Sequence, residues 1–283
     1  MNEPARRMWT LFESVHAVTY FAAQARDSFE AAGLPGFWRG YFAGRAAPLG
    51  AVRPGPVTAA FFTFQPAMVR RAVPDVWQRA APDVVLAARL DGARRALTDV
   101  LAAVPAPAVS EAARLLRLAA GGVDVSGRSL AAANADLPWP ADPVGILWHA
   151  ATVLREHRGD GHVAALLTAG LDGVEALVWR AALDGSRHLL QPARGWTDDE
   201  WSAAAERLAA RGWLTADGSA TAAAATVRDE IEGTTDRLAG RPWRLLGAAD
   251  TARLAGLLAP IAAAASGYLR YPNPIGLPRP PDA

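Results

Sequence analysis

The sequence predicts an all-α fold: two related helical units, followed by a helical segment that carries the only short β-hairpin. Three observations lead there. Apolar residues fall mostly at three- and four-residue spacing, and strand-like alternation is almost absent. Gly44-Arg45, Arg70 and Leu90-Asp91-Gly92 recur, with a drift of a few residues, as Gly127-Arg128, Arg155 and Leu171-Asp172-Gly173. Duplicated units usually stack so that each buries the other's apolar face. Last, Trp213-Leu214-Thr215, Asp217-Gly218 and then 219–224 read as strand, tight turn and returning strand. The expected boundaries are 1–103 and 108–185 for the two units, 186–270 for the third segment and 271–283 for a proline-rich tail.

Residues 5–32 read as one long helix or a kinked pair, with Trp9, Phe12, His16 and Tyr20 roughly on one face. Gly33-Leu34-Pro35-Gly36 stops it. A second helix covers 37–43. Pro48, Pro54 and Pro56 hold a loop before a helix over 57–73, which Pro66 should kink because it lacks an amide donor. Pro74-Asp75 begins the next element, and Asp91 is placed to cap a helix over 92–103.

Val104-Pro105-Ala106-Pro107 links to the second unit, which opens with a helix near 110–120. After the proline-laden Leu137-Pro138-Trp139-Pro140 come a helix over 143–157, a short helix opened by Asp160 and one capped by Asp172. In the third segment Thr197 caps a helix that runs to Gly212, and Glu200 completes a capping box. A helix over 226–238 follows the hairpin. The tail from Tyr271 is expected to extend over the surface.

Composition sets limits on function. Of 283 residues 51% are hydrophobic and 20% charged, with a formal net charge of +1. That balance describes a folded globular chain and gives no global reason to expect nucleic acid or acidic membranes as partners. There is no cysteine, so thiolate chemistry is excluded and a metal would have to rely on His, Asp and Glu. No apolar run reaches bilayer-spanning length, and the N-terminal stretch lacks a signal peptide's apolar core; the expected location is cytoplasmic, with no membrane partner. Every basic side chain apart from five histidines is arginine. Arginine offers a rigid fork for anions, although GC-rich codon usage explains the bias more simply.

Helix, strand, tight turn, strand, helix is the layout of a winged helix-turn-helix. The stretch from Thr197-Asp198-Asp199-Glu200-Trp201 through Arg207-Leu208-Ala209-Ala210-Arg211-Gly212-Trp213-Leu214 is similar to the recognition helix and first wing strand of MarR-like regulators. Gly44-Arg45-Ala46-Ala47-Pro48-Leu49-Gly50, Trp148-His149-Ala150-Ala151-Thr152 and His157-Arg158-Gly159-Asp160-Gly161-His162 resemble an actinobacterial family of helix-turn-helix proteins. The resemblance implies a regulator fold more clearly than an activity. It also makes Arg207 and Arg211 the DNA-binding candidates. The first turn of the helix, Asp198-Asp199-Glu200, suits the helix dipole but repels phosphates, which disfavours DNA as a partner. The segment reads better as a packing or homodimerisation element, through Trp196 and Trp201 if exposed.

The densest polar cluster is His149, His157, Arg158, Asp160 and His162. Under the repeat, His149 falls opposite Phe64 and His162 near Trp77, so both imidazoles replace aromatics and become the candidate general bases. Asp160 falls opposite Asp75 and is most simply an N-cap, whose helix dipole would keep His162 neutral. His157 and His188 have simpler roles at a helix end and in a polar loop. A metal site from His157, Asp160 and His162 has no strong zinc spacing. No nucleophile elbow, P-loop or dinucleotide motif is present, so no metal and no cofactor are expected.

Trp9, His16, Tyr20, Trp38, Tyr41, Phe61, Phe62 and Phe64 form core or line a pocket for a flat apolar ligand. His16, Tyr20 and Tyr41 need polar partners if buried. The ligand-binding set is therefore His16, Tyr20, Tyr41, Trp148, His149, Arg155, Asp160 and His162, with both imidazoles expected in one cavity between the units. The favoured function is a sensor for a small apolar or aromatic ligand, of regulatory descent. One alternative is a cofactor-independent enzyme with His149 or His162 as general base; another is a structural or protein-binding module.

Overall fold

Apolar residues at helical spacing fold into helices throughout residues 4–279, the part of the chain that the computed structural model describes. The first stretch holds α1 (Pro4–Phe21), α2 (Ala23–Ala31), α3 (Phe37–Ala46), α4 (Pro54–Phe61), α5 (Pro66–Ala72), α6 (Asp75–Arg79) and α7 (Pro82–Val100). The middle holds α8 (Ala106–Ala120), α9 (Ser129–Ala135), α10 (Pro143–Thr168) and α11 (Gly173–Asp184). The last holds α12 (Arg187–Arg194), α13 (Asp198–Ala210), α14 (Ala222–Leu238), α15 (Arg241–Leu246) and α16 (Ala248–Ala265).

Three apolar cores organise these helices. The first gathers Met8, Phe12, Leu97, Leu116, Trp148, Trp243 and Ile261, and so draws on all three segments that the sequence divides. The second, around Phe29, Phe42, Phe61, Phe64 and Val76, belongs to α2–α7 with Leu130. The third joins Leu166 to Trp179, Leu190, Trp201, Leu208 and Ile231. Helix α10 is the spine: its first half lies in the first core and its end in the third. Each large side chain buried this way contributes about 1.5–3 kcal/mol.

Several expectations need correction. Among the described residues there is no β-strand; where a hairpin wing was expected, a single antiparallel bridge joins Leu214 and Ala220. Thr215 and Ser219 bond within a tight turn, and Thr221, by accepting from the Ala224 amide, starts α14 at once. The alanines after it favour helix over a returning strand.

Asp160 opens no helix, because α10 runs through Gly159 and Gly161 without a break. Its burial between two cores outweighs the roughly 1 kcal/mol that each glycine costs. Gly161 leaves room for Arg128: an added Cβ would lie 2.6 Å from its guanidinium, which donates to the His157 carbonyl and would have to shift. Helix α7 likewise continues through Asp91-Gly92, and Asp91 accepts from Ser28 Oγ at 2.9 Å. Pro66 produces a break rather than a kink, with α4 and α5 separate.

The repeated landmarks occupy unlike settings. Gly44-Arg45 lies inside α3, whereas Gly127-Arg128 precedes α9; Leu90-Asp91-Gly92 sits mid-helix, whereas Leu171-Asp172-Gly173 opens α11. The capping box of Thr197 with Glu200 forms as its spacing predicts, and Asp172 caps α11 as expected, with Glu175 completing a second box. Trp201 is buried and Trp196 half-buried, so the exposed apolar pair expected for dimerisation is absent. The tail does not simply lie over the surface: Asn273 and Leu277 are buried.

Candidate functional site

A cavity of about 600 Å³ lies where α1, α3, α4 and α10 face α11, α12, α14 and residues 271–279. Small-molecule sites commonly enclose about 300–1,000 Å³. Its apolar wall comes from Phe61, Phe62 and Phe64 on one side and Leu177 and Trp179 on the other.

Backbone geometry fixes the first side. Phe62 is the one non-glycine among the described residues with positive φ, at 44°, a conformation that costs about 1–3 kcal/mol unless its surroundings enforce it. Here they do. An added Cβ on Gly173 would lie 2.2 Å from the Phe62 carbonyl oxygen, so α11 can begin there only with glycine. Trp196 Nε1 donates to the Thr63 carbonyl at 2.8 Å. The strained corner is thereby clamped between α11 and the residues before α13.

Behind the polar wall, whose Arg45 and Arg155 line the cavity, lies Glu156, which is almost wholly buried. Arg45 meets it in a bidentate pair at 3.1 and 3.2 Å, and Arg155 donates to it at 2.7 Å. Burial alone would raise this carboxyl; Arg155, then Arg45, hold it well below the usual carboxylate range. Arg155 also lies 3.5 Å from Glu13, whose own carboxyl is pushed up by burial. The Arg45 guanidinium stacks 4.3 Å over the Phe61 ring. Arg158 pairs with Glu232 and Asp236 and lies over Trp9, which ties α10 to α14 and α1.

The structure divides the predicted ligand residues into three groups. Tyr41, Arg155, Asp160 and His162 line the cavity. The hydroxyl of Thr235 donates to the Ile231 carbonyl and so must accept from His162 Nδ1, at 2.9 Å. His162 therefore carries its proton on Nδ1, and Nε2 is left as an acceptor. Burial, not a helix dipole, lowers its pKa. Asp160 is pushed up to about 6 by burial, although it accepts from the Ala131 amide at the start of α9.

His16 and Tyr20 stand beside the cavity, around a water-sized void shared with Tyr41, Arg45 and Glu156. Tyr20 donates to His16 Nε2 at 2.9 Å; His16 Nδ1 donates to Thr152, whose hydroxyl donates to the Trp148 carbonyl. Burial and the nearby Arg155 keep His16 well below its ordinary pKa. This relay supplies the partners that buried His16 and Tyr20 require.

Trp148 and His149 lie elsewhere, in the first core. His149 packs edge-on to Trp139 at 4.8 Å, and burial, with Arg89, pushes its pKa down to about 4. The expectation that both imidazoles share one cavity therefore fails. His157 is also buried and pushed down to about 4.

Arg207 and Arg211 are both engaged within the protein. Arg207 pairs with Glu175 and Asp172. Arg211 donates to the carbonyls of Gly170 and Ala169 at the end of α10 and stacks on Trp213. The exposed face of α13 carries Asp198, Asp199 and Glu206.

Sequence reasoning missed Arg194 and the tail as parts of the site, and Glu156 as the residue that holds its arginines. Glu156 lies beside Arg155 in the sequence, but nothing in the spacing pairs it with Arg45, 111 residues away. Arg194 ends a short amphipathic helix whose spacing says nothing of the cavity, and residues 271–279 read only as a proline-rich end.

The chain belongs to a helix-turn-helix family, whose family model matches residues 5–270. No curated protein and no solved structure matches it. The family suggests a DNA-binding, regulator-like protein. No single helix among the described residues is long and apolar enough to cross a membrane.

Proposed function

We propose that this chain is a small-molecule sensor built on a helix-turn-helix frame, with its ligand in the 600 Å³ cavity. The observation that carries this reading is the composition of the walls. One side belongs to α1, α3, α4 and α10, and the other to α11, α12 and α14, which flank α13, the helix whose sequence resembles a recognition helix. A ligand that bridges both sides has differential affinity for arrangements of the two, and that is the requirement for shifting their equilibrium.

The aromatic and aliphatic lining favours a flat, largely apolar ligand, as in most small-molecule sites. DNA contact through α13 gains no support from its acidic face, so any DNA affinity lies with other surfaces or with a partner. The enzyme alternative retains one element, the His162 Nε2 acceptor, but His149 contributes nothing to the cavity.

Titration with the apolar fluorophore N-phenyl-1-naphthylamine tests the reading. Saturable binding by the wild type, lost in a folded Val163→Trp variant that fills the cavity, is expected. Absence of saturable binding, or binding indifferent to Val163→Trp, would remove the basis for a sensor.

A further inference from the structure

Arg228 and Arg279 at the cavity are exposed to solvent, and the less exposed arginines around it have carboxylate partners with one exception. Arg45 and Arg155 share Glu156, Arg158 has Glu232 and Asp236, and Arg180 has Asp184 at 3.2 Å. Arg194, at the end of α12, has no carboxylate partner among the described residues. Its terminal nitrogens donate to the carbonyls of Ala193 and Pro274, each at 3.2 Å, and its Nε has no acceptor. It is half-buried and lines the cavity. Phe64 lies 4.6 Å beneath the guanidinium and fixes its plane.

A buried cation without a counter-charge is costly, because desolvation is not offset by attraction. Burial lowers the Arg194 pKa to about 10, an effect that Tyr41 partly opposes and that Arg180, Arg45 and Arg155 reinforce by repulsion. At neutral pH the guanidinium stays charged. It presents free N–H donors in a fork that matches a planar or tetrahedral acid group.

We propose that the cavity's ligand is an organic anion, with its acid group held by Arg194 and its flat apolar body against Phe62, Phe64, Leu177 and Trp179. The assignment rests on the sensor reading above and narrows its ligand class. The anion supplies the counter-charge that the fold omits. Pro274 adds a constraint: its carbonyl already holds Arg194, so the segment over the cavity and the anchor are positioned together.

The test compares two probes with the same naphthyl-phenylamine body, the anionic 8-anilinonaphthalene-1-sulfonate and the neutral N-phenyl-1-naphthylamine. In the wild type the anion should bind at least about tenfold tighter, the range of a charge-assisted hydrogen bond. Arg194→Gln should remove that preference and leave the neutral probe unchanged. Arg71→Gln, at an exposed site on α5, should alter neither.

The wild-type comparison decides even if Arg194→Gln fails to fold. Equal or weaker binding of the anionic probe overturns the inference alone, as does an anion preference that survives in folded Arg194→Gln. Binding of neither probe overturns the sensor reading beneath it.

Discussion

Glu156 and Arg45 join α10 to α3 through a bidentate ion pair that is almost closed to solvent, with side-chain exposures of 2% and 10%. Arg155 shares the same carboxylate, so one negative charge holds two arginines at the cavity wall.

Removing that charge strands Arg45 and leaves Arg155 only Glu13, 3.5 Å away. Glu156→Gln should cost about 3–5 kcal/mol at neutral pH, the range for breaking a buried pair from one side. The sign of the pH dependence follows from the depressed folded pKa. The stabilisation is present above the ordinary glutamate range and is lost as pH falls toward the folded value. Urea unfolding at pH 7 and pH 3 should therefore show the gap between wild type and variant shrinking in acid. A gap that is small at pH 7, or the same at both, contradicts the assignment.

Asp160 has the opposite sign. Its folded pKa is raised to about 6, so its contribution is most favourable below the ordinary aspartate range and declines as pH rises through 6. Asp160→Asn keeps an acceptor for the Ala131 amide and removes the titration. The variant should match wild type near pH 4 and be more stable at pH 8. Equal destabilisation at both would show that the carboxylate is required as an ion.

Gly173 tests the clamp on the cavity corner. Gly173→Ala would place a methyl group against the Phe62 carbonyl, and overpacking of this kind costs about 1–3 kcal/mol. Thermal unfolding should register that loss, together with weaker probe binding through displacement of Phe62 and Phe64. Unchanged stability would mean that the corner yields freely.

The acidic face of α13 yields a prediction about DNA. Asp199 and Glu206 are exposed, and both repel phosphates. The double substitution Asp199→Arg with Glu206→Arg should raise affinity for non-specific duplex at low salt and steepen its salt dependence. A fall in affinity would show that the acidic face takes part in binding.

What the sequence made legible was local. The helical period, the Gly33–Gly36 stop, the Asp172 cap and the Thr197 capping box depend on neighbours within a turn or two, and they form as read. Asp91 and Asp160 resemble caps by the same local rules, yet each lies mid-helix and bonds to a distant element, Ser28 and Ala131. Long-range packing decided those positions.

The site was legible only in part. Tyr41, Arg155, Asp160 and His162 could be chosen because aromatic and ionisable residues in helices need partners. Glu156 and Arg194 gain their meaning from neighbours that are remote in sequence. The hairpin failed because its second half is an alanine run, better suited to continue as α14.

Hydrogen exchange of the wild-type chain, with and without saturating 8-anilinonaphthalene-1-sulfonate, tests the central claim most directly. The account predicts added protection in both walls together: around 61–64 and α10 on one side, and α11, α12 and 271–279 on the other. Protection confined to one wall, or to surfaces away from the cavity, would contradict a ligand site that links the core helices to α11, α12 and α14.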